Sequence, residues 1–185
     1  MNGKTVKEIL VSALALAIIG GTVTAALAVT NELTQAAIAA RTAEEENQAR
    51  RQVIAADTFE RATLQDAGEE VVYYTAEKDG QAVGYVFTAS VTGKSSGLVI
   101  MTGIRTDGTV SGVAVTENNE TAGYVDKVTQ GGLLDAFVGK PADTFVLGTN
   151  IDGVSQATKT SKGVVTGVNQ AVTWYREIAK GGDAS

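Results

Sequence analysis

Residues 70–91, "EVVYYTAEKDGQAVGYVFTASV", are rich in β-branched and aromatic side chains on both sides of Asp79-Gly80. From Val71 the apolar period is two, the period of a strand with one covered face. Asp-Gly between two such runs is the strongest short-range signal for a tight hairpin. The stretch therefore predicts two antiparallel strands, "EVVYYTA" and "AVGYVFTASV", joined through "EKDGQ". Residues 96–117 repeat the design, with "SGLVIMTGI" and "VSGVAVTE" around "RTDGT" and a second Asp-Gly at 107–108. Two consecutive hairpins predict an antiparallel sheet.

Downstream, a short helix is expected over Val125–Ala136 and a short strand at "DTFVLG", residues 143–148. A closing helix is expected from about Lys162 to Lys180. Upstream, residues 32–67 contain good helix formers and neither Gly nor Pro, which predicts a helical neck over 31–67. The fold class is α+β: a twisted antiparallel sheet with covering helices, spanning 68–185.

Before the neck, "ILVSALALAIIGGTVTAALAVT" (9–30) carries no charge. At about 1.5 Å per residue a helix of this length spans roughly 33 Å, enough for a bilayer core of about 30 Å. "ALA" at Ala26–Ala28 fits a signal-peptide cleavage site, but the apolar run exceeds the roughly 7–15 residues of a signal core. A retained transmembrane helix is therefore expected. Lys4 and Lys7 in the 1–8 segment place the N-terminus in the cytoplasm and the C-terminal domain outside it. Gly20-Gly21 permits close approach of another membrane helix.

After residue 30 the chain has 13 basic and 20 acidic side chains, a net −7 that suits no nucleic-acid backbone. The absence of His and Cys excludes a Ser-His-Asp triad, a thiolate nucleophile and imidazole metal or haem ligation. Neither a P-loop nor a dinucleotide fingerprint occurs. Redox work in this chain needs a bound organic cofactor. Its absence of Cys fits an exported domain without disulfides.

What remains is "DGVSQATKTSKGVVTGVNQAV", residues 152–172, where Ser155, Thr158, Thr160, Ser161 and Thr166 crowd the entry to the last helix. Thr160 or Ser161 is expected to cap that helix. Lys162 opposes the helix dipole at such a position, a conflict that a phosphate at the helix start would resolve.

"DGVSQATKTS" resembles the flavinylation motif Asp-Gly/Ala-x-Ser/Thr-Gly-Ala-Thr of the FMN-binding domain family, which includes the G subunit of Rnf ion-translocating ferredoxin:NAD oxidoreductases and the C subunit of Nqr sodium pumps. "GLVIMTGIRTDGTVSGVAVTENNETAG" (97–123) resembles the family stretch that ends in Glu-Thr-Pro-Gly, and the likeness runs through span and neck as well. The closing helix and the short chain are more similar to Rnf G subunits. The resemblance implies FMN joined by a phosphoester to Thr158. Asp152, Ser155 and Ala157 match positions recognised by a flavin transferase, and Thr160 and Ser161 match residues near the phosphate. Glu120, Thr121 and Gly123 match the element beside the isoalloxazine. Three positions depart from the pattern: Gln156 replaces the motif Gly, Ala122 replaces Pro, and "GKSSG" (93–97) stands where the family often has "GYGG".

Such a chain would be a membrane-anchored electron carrier, partnered by the other membrane subunits of an Rnf-type complex and, during maturation, by a flavin transferase. Tyr85, Phe87, Tyr124 and Trp174 are the aromatic candidates for stacking on the ring. A non-covalent flavin or ligand sensor, a cell-surface structural domain and the C subunit of an Nqr-type pump remain as alternatives.

Overall fold

The computed structural model describes residues 44–94 and 97–182, with isolated helical positions at 13, 14, 16, 17, 20, 21 and 24. The N-terminus over 1–8, nearly all of the expected span and the neck up to residue 43 lie outside the described residues. Among the described residues no helix is long and apolar enough to cross a membrane. Met1–Glu46 and Asn47–Ser185 form two compact units.

The second unit is α+β. Its sheet is an open antiparallel meander of β1 (Thr58–Asp66), β2 (Glu69–Lys78), β3 (Gln81–Thr92), β4 (Gly97–Arg105) and β5 (Val110–Asn118), in that order across the sheet. Both predicted hairpins are present. Asp79 (φ 51) and Gly80 (φ 74) alone separate β2 from β3, so both central residues take the positive φ of a type I′ turn. In the β4–β5 connection Gly108 has φ 80, and Asp107 accepts from the Thr109 amide at 2.9 Å and its hydroxyl at 2.6 Å.

The sequence reading is corrected at residues 58–66, which form β1 and not the end of the neck helix. Helix α1 covers 44–53 and stops there. Ala67 (φ 50) and Gly68 (φ 89) make a two-residue turn that pairs β1 with β2 from Asp66–Glu69 to Thr58–Glu77. Helix formers such as Glu60, Arg61, Ala62 and Leu64 are overridden by a sheet edge available for pairing.

The two sheet faces are covered differently. On one face α3 (Thr158–Gly182) buries Val164, Val168, Ala171 and Val172 against Phe87, Ala89, Leu98 and Ile100. These valines follow helical spacing, and each fully buried one contributes about 1.5–3 kcal/mol before entropy. Gly163 and Gly167, one turn apart, let α3 approach closely. A Cβ at Gly167 would lie 2.8 Å from the Ile100 Cβ, and one at Gly163 would lie 3.0 Å from the Gly93 Cα. On the other face the end of α1 sits on bare backbone. A Cβ at Gly103 or Gly112 would meet the Val53 carbonyl at 2.6 or 2.7 Å, and one at Gly84 the Ile54 side chain at 2.6 Å. Ser111 donates to the Val53 carbonyl at 2.6 Å, and the Arg50 guanidinium lies 3.5 Å from the Tyr74 ring centroid.

Three further boundaries differ from expectation. Helix α2 is only Tyr124–Gln130, because Gly131-Gly132 ends it, and Asp135–Phe137 is a separate 3-10 turn. Residues 143–148 form no strand. The Asn169 side chain of α3 satisfies both Phe145 backbone groups, accepting at 2.8 Å and donating at 2.9 Å, which leaves only a bridge at Leu147–Ile151. Helix α3 begins at Thr158, a turn before the expected Lys162.

Candidate functional site

The early start of α3 rearranges the hydroxyl cluster. The Ala157 carbonyl accepts the amide of Ser161 at 2.8 Å, so Ala157 holds the cap position and its side chain offers no acceptor. Thr160 and Ser161 are not caps. Ser161 is buried, donates to the Ala157 carbonyl at 3.0 Å and accepts from the Val154 amide at 3.2 Å, which folds residues 154–157 back onto the helix. That fold-back drives Gln156 to φ 63. A left-handed conformation costs a non-glycine residue about 1–2 kcal/mol, which explains why a glycine suits this position of the motif.

Thr158 and Lys159 are exposed in the first turn of a 25-residue helix that carries no acidic residue in that turn. The first-turn amides have no acceptor one turn back within the helix, and the dipole places partial positive charge there.

The second motif reaches the same place from 40 residues away. Glu120 is 8% exposed and Thr160 is fully buried, and the Thr160 hydroxyl donates to the Glu120 carboxylate at 3.0 Å. Asn118 accepts from the Glu120 amide at 2.9 Å and turns the chain out of β5. Gly93 leaves room for this carboxylate, since a Cβ there would lie 2.6 Å from its Oε1. Gly123, at φ 85, then starts α2 with a conformation that favours glycine.

Lys94, Tyr124, Gln156, Ala157, Thr158, Lys159 and Thr160 line an open pocket of about 250 Å³. The Lys94 ammonium donates to the Tyr124 phenol oxygen and lies 3.8 Å from the ring centroid. Lys127 lies 5.5 Å from the same centroid and donates to the Gln156 side chain at 3.4 Å. The hydrogen bond from Lys94, then its charge, holds the Tyr124 phenol below its ordinary pKa, with a smaller contribution from Lys127. A larger depression of about 570 Å³, beside Val53 and Arg105, is lined by none of the candidate site residues.

Of the residues singled out in the sequence, Ala157, Thr158 and Thr160 line this pocket. Glu120 is joined to it through Thr160, and Ser161 braces its floor from within. Asp152, Ser155 and Thr121 are exposed in the adjoining loops. Tyr124 alone of the aromatic candidates is at the pocket. Phe87 and Trp174 are core, with ring centroids 6.3 Å apart and the Trp174 indole donating to Asp66 at 2.7 Å. Tyr85 packs on Tyr175 at 6.1 Å. Sequence reasoning missed Lys94 as a pocket residue and Lys127 as the neighbour of Tyr124 and Gln156 behind it. Only Lys94 carried a signal, as a lysine directly after Gly93 in a tract already marked as divergent.

Known proteins resemble the chain along most of its length. The FMN-binding domain family matches residues 93–173. The G subunit of the Na⁺-translocating ferredoxin:NAD⁺ oxidoreductase complex of Acetobacterium woodii is 31% identical, over 90% of this chain and 91% of that protein. The G subunit of the ion-translocating oxidoreductase complex of Methanosarcina acetivorans is 32% identical, over 91% of this chain and 95% of its own. Among solved structures, NqrC of Shewanella oneidensis aligns with a TM-score of 0.47 and 22% identity, over 66% of this chain and 67% of that one.

Proposed function

The chain belongs to the family of G subunits of ion-translocating oxidoreductase complexes, and from that premise we propose that it is a membrane-anchored flavoprotein that carries electrons in an Rnf-type complex, with FMN joined through a phosphoester to Thr158. The observation that carries this reading is the position of Thr158. Its hydroxyl is exposed at the uncapped start of α3, in a pocket with Lys94 and Lys159.

These residues fit the group. A phosphodiester there would be held by first-turn amides, the positive end of the helix dipole and the Lys159 ammonium. An exposed hydroxyl is also open to a second enzyme, a flavin transferase, with Asp152 and Ser155 exposed beside it. Bound FMN supplies the capacity to accept and release electrons. The chain's own part is to hold it: Thr158 as tether, Thr160 and Glu120 as the brace that fixes the first turn, and residues 119–124 as a wall. A tether makes the cofactor effectively intramolecular, so dilution outside the cytoplasm does not remove it.

Membrane anchoring is supported by the uncharged 9–30 segment, and by the exposure of Leu14 and Leu16 at helical positions within it. The cytoplasmic lysines and the external domain follow from the charge rule. The partners are the remaining membrane subunits of the complex.

The test is to coexpress the chain with a flavin transferase and view the denatured gel under ultraviolet light. The band should fluoresce, and Thr158→Ala should abolish the fluorescence in a protein that still folds. Fluorescence retained in Thr158→Ala refutes the attachment site, and a colourless wild-type protein refutes the flavin reading.

A further inference from the structure

We infer that Lys94, pinned against Tyr124 on the wall of the pocket opposite α3, is a tuning residue for the flavin ring: it stabilises the reduced, negatively charged cofactor over the oxidised one. The inference rests on the reading of Thr158 as the attachment point.

The pocket has two walls of different chemistry. One is the first turn of α3, where Thr158, Lys159 and Thr160 present free amides, a dipole end and an ammonium. Those groups already match a phosphodiester. The other wall comes from the β3–β4 connection and the start of α2, and carries Lys94 and Tyr124. The Lys94 ammonium is located twice over, by its hydrogen bond to the phenol oxygen and by its 3.8 Å distance from the ring centroid. Of its three N–H donors the phenol occupies one. This positive charge lies beside an aromatic face, and the groups that would hold a phosphate lie on the α3 wall.

The charged groups around Tyr124 are Lys94, Lys127 and Glu120, with Lys159 on the facing wall. Glu120 is engaged by the Thr160 hydroxyl. An oxidised flavin ring that takes up two electrons and one proton gains one negative charge, and a fixed ammonium nearby favours that product.

The test uses the full chain matured with a flavin transferase, as wild type, Lys94→Gln, Lys94→Arg and Lys94→Glu. Dithionite supplies electrons in a mediated titration, and solvent supplies the proton. Lys94→Gln should lower the ratio of reduced to oxidised flavin at fixed potential about tenfold, which for a two-electron couple is a drop of about 30 mV. Lys94→Glu should lower it further, Lys94→Arg should restore it, and gel fluorescence should stay equal in all four. A midpoint unmoved by both Gln and Glu overturns the inference and leaves Thr158 intact. Gel fluorescence lost in Lys94→Gln overturns it too, because Lys94 would then serve attachment. Wild-type protein without flavin overturns both readings. Ultraviolet titration of flavin-free protein, with Tyr124→Phe to identify the phenol, tests the contact separately. Lys94→Gln should return that phenol toward its ordinary pKa, and an unmoved titration overturns the proposed pinning.

Discussion

Thr160→Val tests the link between the two motifs. The substitution keeps the shape of the side chain and removes the hydroxyl that donates to Glu120 at 3.0 Å, in a place where Thr160 is fully buried and Glu120 nearly so. A hydrogen bond to a charged group is worth about 1.5–3 kcal/mol, and the added methyl recovers roughly 0.8 kcal/mol by burial. The net loss is about 1–2 kcal/mol. For a unit the size of Asn47–Ser185 that lowers the melting temperature by roughly 3–8 °C. Trp174 is the only tryptophan and sits on α3 facing the sheet, so its fluorescence reports helix docking during urea unfolding of the flavin-free chain in detergent. Thr166→Val, exposed on the same helix, is the control and should be close to neutral. In a Glu120→Gln background the acceptor is neutral, so the cost of Thr160→Val should fall by about half. An equal cost in both backgrounds, or a variant as stable as wild type, refutes the claim that this bond ties residues 120–123 to the head of α3.

Two other outcomes follow from the backbone. Gln156→Gly should raise stability by about 0.5–1 kcal/mol, because relief of the φ 63 strain, about 1–2 kcal/mol, exceeds the added chain entropy of glycine, about 0.5–1 kcal/mol; a lower urea midpoint contradicts the strain argument. Asp107→Asn should cost stability at pH 7 and cost less at pH 3. The Thr109 hydroxyl and amide hold the Asp107 carboxyl below its ordinary pKa, so its contribution is complete above the unfolded value and is lost as pH falls through the folded one. An equal deficit at both pH values refutes that linkage.

The hairpins were legible because their turns are local chemistry. Asp79-Gly80 and Asp107-Gly108 state where the chain reverses, whatever surrounds them. The first strand was not legible, although Ala67-Gly68 makes the same kind of turn as Asp79-Gly80. Alanine in a left-handed conformation is uncommon, and residues 58–66 mix helix formers with β formers. Pairing with β2 decides their state, and pairing is not a local property. Residues 143–148 failed for a related reason. Their backbone partner is the side chain of Asn169, 24 residues on from Phe145, so their extended reading had no strand to join.

The site divides in the same way. The exposed position of Thr158 was reachable from the linear stretch, since the hydroxyl and the helix that presents it lie together in it. What the other hydroxyls do was not, because it depends on where α3 begins. With the start at Thr158, the Thr160 and Ser161 side chains turn inward to Glu120 and to the 154–157 backbone. Only Thr158 and Ser155 of the cluster's first four hydroxyls then face solvent. Lys94 shows the same limit more sharply. Its sequence neighbours say only that an aromatic is missing, whereas its meaning comes from Tyr124, 30 residues away across two strands. A lysine held on a tyrosine face is a different chemical object from one without a partner, and Gly93, whose Cβ would lie 2.6 Å from the Glu120 carboxylate, lets the start of the β3–β4 connection approach residues 120–124.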